Sequence, residues 1–308
     1  MAERKSLGLC MTSLLFVLLI LPGTSSAQLT QGQNNNYIQT SFGLRITGGG
    51  SLLMRNDFND HLQGLNDLMN EVSFWTVESE FELLKMGMDF SGEILISFLP
   101  NFSLGIGAGY ISAGKETTAE LDYQPFYKED ITMHPRFSAI PITLSFYYGL
   151  PLGNSMQVVL NAGVGYYLGT VNYDELYEVS GSGSSQEHSE IWSAKSNSFG
   201  FHGGIDLEFG IAPNLALVVG AKGRYAKLTD LTGDLEWETY LSWSGTDSGT
   251  EEDQTLWFGN YRDWLTGTEH PQVILSDQKP AGPEWSEVRE AEVNLSGIVF
   301  QAGIKITF

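Results

Sequence analysis

The chain has 308 residues, 42% of them hydrophobic and 17% charged, and a formal net charge of −21. Such acidity argues against nucleic acid as a partner, because phosphate backbones are met by basic faces. The charged share lies below the ~25% of an average soluble domain, while glycine, at 35 residues, exceeds the ~7% norm; that mixture suits strands around a narrow interior. The length allows one or two domains.

Residues 1–27 read as a secretory leader. Arg4 and Lys5 precede the apolar run Leu14 to Leu21, Pro22 and Gly23 break it, and Ser25, Ser26 and Ala27 offer a cleavage site before Gln28. The run is too short to serve as a spanning helix. Cys10, the one cysteine, lies in the leader ahead of the apolar run, so the mature chain has no disulfide to rely on. Cleavage removes two basic residues and one acidic residue and leaves the remainder more acidic still. No later segment has the ~18 consecutive apolar residues of a transmembrane helix.

After a polar tail, residues 28–36, the chain alternates with a period of two, the signature of strands with unlike faces. The first such segment sets Ile38, Thr40, Phe42, Leu44 and Ile46 against Gln39, Ser41, Gly43, Arg45 and Thr47. The second sets Phe90, Ile94, Ile96 and Phe98 against Asp89, Ser91, Glu93 and Ser97. The turn Leu99-Pro100-Asn101 leads into a third, with Leu104, Ile106 and Tyr110 opposite glycines. The fourth carries Ile140, Ile142, Leu144, Phe146 and Tyr148 opposite Thr143, Ser145 and Tyr147. Pro141 falls on its second face, where a missing N–H predicts a bulge. Another short turn opens the fifth, Val158 to Leu168, with Asn161, Gly163 and Gly165 opposite. The sixth sets Phe199, Phe201, Ile205, Leu207 and Phe209 against His202, Asp206 and Glu208. After Ala212-Pro213-Asn214, the seventh sets Leu215, Leu217, Val219 and Ala221 against Gly220, Lys222 and Arg224. The eighth runs from Ile298 to Phe308, with Gln301, Gly303 and Lys305 between its apolar residues.

Long loops are expected at about 48–87, 112–134, 172–197 and 229–292. In the first of them Phe58, Leu62, Leu65, Met69 and Val72 recur at helical spacing, which predicts a short amphipathic helix packed on a rim rather than one that binds a partner. The repeating unit is a hairpin with a tight turn at one end and a long loop at the other.

About eight strands of ~10 residues each have the length to cross a bilayer as a closed antiparallel barrel. The rival is a soluble barrel with its apolar rows inward. The phase is chosen by the opposite rows, which are small and carry balanced charges: Arg45, Lys222, Arg224 and Lys305 against Asp89, Glu93, Asp206 and Glu208. Charges of both signs suit a confined interior, where an unpaired one is costly. These eight are expected to form a lumen charge network, either a plug or a gated ion path.

The leader, the alternating strands, the Pro/Asn turns and the terminal phenylalanine resemble a small bacterial outer-membrane β-barrel protein of the eight-stranded OmpA/OmpX/OmpW-like kind. The resemblance spans residues 37–308 and implies an all-β fold, a closed transmembrane barrel in the bacterial outer membrane with short periplasmic turns, a periplasmic tail and long extracellular loops. It implies outer-membrane lipid and lipopolysaccharide as surroundings. It also implies that Ile298, Phe300, Ile304, Ile306 and Phe308 form the segment read by the barrel-assembly machinery.

No catalytic set is legible. Among the five histidines only His202 is placed on a strand, with Asp206 on its face and no serine or cysteine evident to complete a nucleophile set. Zinc spacing, a phosphate-cradling loop and a calcium loop are all missing, so no cofactor or metal is expected. The expectation is a non-enzymatic protein acting through its loops in interaction or envelope integrity, with a narrow channel for ions or small solutes as the alternative. The final loop holds Trp237, Trp243, Trp257, Trp264 and Trp285. The first four are candidate contacts for an unknown extracellular ligand, sugar or protein; the alternative is that they form the loop's own small core.

Overall fold

The computed structural model describes residues 40–72, 75–123, 126–181, 184–264 and 266–308. The leader, the polar tail and Ile38 lie outside them. Among the described residues the chain forms fifteen strands and one helix. In chain order these are β1 Ser41–Leu53, α1 Asp57–Glu71, β2 Thr76–Ser79, β3 Met86–Leu99, β4 Phe102–Gly114, β5 Thr117–Tyr123, β6 Tyr127–Pro151 and β7 Met156–Gly181. They continue with β8 Ser184–Ala212, β9 Leu215–Leu228, β10 Thr232–Leu241, β11 Gly245–Arg262, β12 Glu269–Ser276, β13 Trp285–Glu290, β14 Val293–Asn294 and β15 Gly297–Thr307.

Every pairing is antiparallel. Eight strands pair in the succession β1-β3-β4-β6-β7-β8-β9-β15, and β15 pairs back onto β1 from Gly43↔Thr307 to Leu53↔Gly297. A ring of pairings of this kind is consistent with a β-barrel and leaves those strands no open edge. The expected count of about eight strands is therefore corrected to fifteen. The other seven lie in or beside the stretches expected as loops, and β6, β7 and β8 run 25, 26 and 29 residues. The expected bulge at Pro141 is also corrected. Pairing of β6 with β7 is continuous through Pro141↔Tyr167, and β4 keeps one register on either side, Ala108↔Ile142 and Ile111↔Ala139. The imide is accommodated by leaving the rungs at Gly109 and Tyr110 unmade.

The ring is apolar outside and polar inside. Phe42, Phe90, Ile106, Phe146, Phe201 and Phe300 are each 53–62% exposed, while Arg45, Glu208, Asp206 and Ser145 on the opposite parity are 0–3% exposed. On β6 the outward apolar row runs from Ile140 to Leu150. About ten residues at a rise of ~3.3 Å and a tilt of ~40° give a band ~25 Å tall.

Above Ile140 and Leu168 the rows exchange character without changing parity. Outward positions become Ser138, Arg136, Thr170, Asn172 and Asp174, and inward ones become Ala139, Phe137, Val171 and Tyr173, all buried. That exchange marks where the band ends and a second, apolar core begins. Helix α1 enters this core with Phe58, Leu62 and Met69; Phe58 meets Phe137 edge-on at 5.1 Å and Tyr173 at 5.8 Å. The helix starts here because Asn56 caps it, its side chain accepting from Asn59 N at 3.0 Å, with Asp57 and Asp60 in the first turn. Leu256, Val273 and Leu275 from β11 and β12 close the core from the other side.

Candidate functional site

Each of the eight strands in the ring sends alternate side chains inward, so residues remote in sequence meet there. Arg45 on β1 donates from Nη2 to Asp206 Oδ2 on β8 at 2.7 Å, and its Nη1 lies 3.6 Å from Glu208 Oε1. Asp206 also accepts from Asn161 Nδ2 at 2.7 Å and Gln301 Nε2 at 2.9 Å. Glu208 accepts from Lys305 Nζ at 2.8 Å and Gln157 Nε2 at 2.6 Å. On the other side Arg224 pairs with Asp89, Lys222 Nζ stands 3.6 Å from Asp89 Oδ1, and Arg224 Nε donates to the Leu295 carbonyl at 2.8 Å.

Glu93 accepts from Tyr147 and from Ser145 Oγ at 2.9 Å, and Ser145 Oγ is 3.0 Å from His202 Nε2. Arg45 also lies over the Tyr147 ring, 5.1 Å from its centre. The eight residues singled out in the sequence thus share one interior. Sequence reasoning passed over their neutral links, Asn161, Gln157, Gln301, Ser145 and Tyr147. Their signal was parity, since each stands on the same face of its strand as a named charge. The expectation that no serine accompanies His202 is corrected, because β6 brings Ser145 to it across the interior.

Glycine on these rows is a matter of space. A Cβ at Gly220 would collide with Asp206, and one at Gly163 would lie 2.6 Å from the His202 ring. What remains open at the centre is a cavity of about 30 Å³ beside Arg45, Asp89, Glu93, His202 and Arg224, room for roughly one or two waters. A substrate does not fit there.

A second polar cluster stands above the band. Glu175 on β7 pairs directly across from Glu190 on β8. Tyr173 donates to Glu175 Oε2 at 3.0 Å, Trp192 Nε1 donates to Glu190 Oε2 at 3.0 Å, and His188 Nε2 lies 3.1 Å from Glu190 Oε1. Burial first, and then Glu190, push the Glu175 carboxyl up to about 7 against the Tyr173 hydrogen bond; burial likewise raises the Tyr173 phenol well above its ordinary value. A directly opposed carboxylate pair is unfavourable when both are charged.

The expected loop contacts divide into two kinds. Trp243, between β10 and β11, and Trp264, after β11, are 68% and 83% exposed. Trp237 is half-buried across from Gly249, and Trp257 donates from Nε1 to the Ser276 carbonyl at 3.2 Å. Trp285 packs on Tyr261 at 5.2 Å. Of the expected assembly segment, Ile298, Phe300, Ile304 and Phe308 face outward on or just after β15, and Ile306 is half-buried.

No family model matches the chain, and no curated protein matches its sequence. Among solved structures it aligns with the crystal structure of outer membrane protease OmpT from Escherichia coli at 10% identity and a TM-score of 0.21, covering 87% of this chain and 95% of that one. The likeness is thus to an outer-membrane protein, with no family model behind the finer OmpA/OmpX/OmpW-like resemblance. That structure is described as a protease, and on this finding the expectation of a non-enzymatic chain is corrected and no longer held. A likeness of this degree assigns no catalytic residue to the chain.

Proposed function

We propose that the chain is a transmembrane barrel of the bacterial outer membrane, that its interior is closed by the charge network, and that it acts through the folded domain on its loop end. The observation that carries this reading is the inverted burial of the ring, with phenylalanines outward and salt bridges inward. A soluble protein that left such a continuous apolar band in water would associate through it; in lipid the same band is the expected surface, and a ring without edges satisfies the backbone. The band height agrees with a hydrocarbon core. The loop-end domain then faces the cell exterior, where Gly249 and the Ser276 carbonyl hold Trp237 and Trp257 and Trp243 and Trp264 stay at the surface for contact with a partner.

The runner-up, a narrow channel, draws on the cavity at the centre of the network, where paired charges could exchange partners. Conductance of the refolded protein in a planar bilayer separates the two. Confirmed insertion with no steps agrees with a closed barrel. Steady single-channel steps overturn it in favour of transport.

A further inference from the structure

Below the charge network the interior widens toward the turn end. Two spaces adjoin there, of about 230 and 70 Å³, against about 30 Å³ at the centre of the network. Gln157, Glu208 and Lys305 line both, so these three side chains stand where the spaces meet. The larger space opens among the turns that carry Asn154 and Asn214. The smaller is walled by Leu95, Tyr147 and Val159, a buried apolar group separate from the loop-end core. Tyr147 is held from the network side, since it donates to Glu93 and Arg45 lies over its ring, 5.1 Å from the centre. The small space is therefore a preformed apolar recess with a charged rim.

The rim has unused hydrogen-bonding capacity. Lys305 Nζ carries three N–H donors and gives one to Glu208 Oε2 at 2.8 Å. Gln157 Nε2 donates to the same oxygen at 2.6 Å, and Gln157 Oε1 accepts no hydrogen bond among the described residues. Gly149 keeps the space before that oxygen open, because a Cβ there would lie 2.9 Å from it. Stretches 97–103, 149–157 and 209–216 hold no charged residue, so the charge at this mouth is that of the Glu208–Lys305 pair, which is neutral. An ion of net charge would upset this balance. A zwitterion sets its carboxylate against Lys305 and its ammonium against Gln157 and Glu208, dipole against dipole. A ligand that also fills the recess carries a short aliphatic group.

We propose that this vestibule binds a small zwitterion with a short branched aliphatic side chain, an aliphatic α-amino acid, entering from the turn end. The site needs only the ring of strands, so the refolded full-length chain in detergent micelles tests it independently of the transmembrane reading. Saturation-transfer NMR compares L-leucine with isocaproate, which lacks the ammonium, isopentylamine, which lacks the carboxylate, and glycine, which lacks the side chain. Leucine is expected to bind, and each analogue to bind at least about tenfold more weakly. Lys305→Gln removes the charge that faces the carboxylate and should weaken leucine about tenfold. Gly149→Ala, which sets a methyl group against Gln157 Oε1, should weaken it without touching a charge. Trp243→Ala, at a loop tip, should bind as wild type does.

Absence of leucine binding up to about 10 mM overturns the site. Equal binding of isocaproate would make the ligand a simple carboxylate, and equal binding of isopentylamine a simple amine; either overturns the zwitterion. Unchanged leucine binding in both Lys305→Gln and Gly149→Ala places the amino acid elsewhere on the chain and overturns the vestibule as its site. If Lys305→Gln does not refold, Gly149→Ala and the analogue series on wild type decide.

Discussion

Asn66 on α1 hydrogen-bonds Phe81 twice: its Nδ2 donates to the Phe81 carbonyl at 2.9 Å, and its Oδ1 accepts the Phe81 N–H at 2.8 Å. One turn-pair earlier Asn59 does the same with Leu84, at 2.9 and 2.8 Å. Two buried carboxamides on one helix face therefore take the place of a neighbouring strand for residues 81–84. Asn66→Ala should cost ~1–3 kcal/mol by leaving a buried N–H and carbonyl unpaired. Hydrogen exchange at Phe81, faster in the variant, is the readout; unchanged protection would count against the pairing.

The network inside the ring makes a conductance prediction. Arg224→Ala leaves Asp89 with Lys222 alone at 3.6 Å and adds space beside the cavity. Breaking a buried pair costs ~3–5 kcal/mol, so the variant should unfold earlier and, once inserted, pass ions in discrete steps. Glu93→Ala is the second route, because it strips the acceptor from Ser145 and Tyr147. Arg224→Met keeps the volume without the charge and should stay silent. Inserted but silent alanine variants would refute the plug.

The lipid-facing phase is tested at Ile304, which faces outward midway between Ile298 and Phe308. Ile304→Arg should cost ~2–4 kcal/mol of folding in lipid if this site is near the midplane. Urea titration in vesicles measures it. A neutral substitution would mean that the band does not meet hydrocarbon.

Much of this was legible in the sequence and some was not, for a reason that β7 illustrates. From Val158 to Leu168 its even positions are apolar, so a period-two reading finds a strand. From Thr170 the even positions turn polar and Val171 and Tyr173 take the apolar role on the odd face. A pattern that changes rows reads as a strand that has ended, although the backbone continues for another ten residues or so. The same exchange concealed the upper parts of β6 and β8. The lumen charges were recoverable because parity alone decides which side a residue faces. Ser145 beside His202 was not, since their 57-residue separation is closed only by the ring. Asn59 and Asn66 fall between the apolar residues of α1, and nothing in the sequence marks them, because the edge they cover has no pattern of its own.

Trp237 distinguishes a structural tryptophan from a contact residue. Its ring lies over Gly249 on the paired strand, and a Cβ there would come within 2.8 Å of it. Trp237→Ala should loosen the β10–β11 hairpin by ~1–2 kcal/mol, seen as faster protease cleavage between 232 and 255. Trp243→Ala, at the exposed tip, should leave cleavage unchanged. Equal rates for wild type and Trp237→Ala would mean that the ring does not hold the hairpin.

His61 predicts loss of helix docking in acid. Burial on α1 pushes its imidazole down to about 4, although a backbone hydrogen bond with Pro271 works the other way. A histidine whose folded pKa is depressed adds stability that is present above its ordinary value and lost as pH falls. The window is therefore from about 6.5 down to about 4. His61→Leu should flatten this part of the profile. Melting of the loop-end domain at pH 7 and pH 4.5 is the comparison, and an equal acid loss in the variant would assign it elsewhere.

Glu175 acts in the same window with the opposite sign. Its folded carboxyl titrates at about 7 instead of the ordinary 4.5, because it is buried and faces Glu190, with His188 and Tyr173 as the other titratable groups against it. A raised pKa means stability that is complete below the ordinary value and is lost as pH rises through the folded one. Between pH 4.5 and 7 the unfolded chain therefore gives up a proton that the folded state still holds. Glu175→Gln removes that proton equilibrium and keeps an acceptor for the Tyr173 hydroxyl. The variant should match wild type at pH 4.5 and exceed it at pH 8 by on the order of 2 kcal/mol. The measurement is the difference between the two melting profiles as a function of pH, which cancels His61 and every other shared group. A difference that does not grow with pH would mean that the fold does not raise the Glu175 carboxyl.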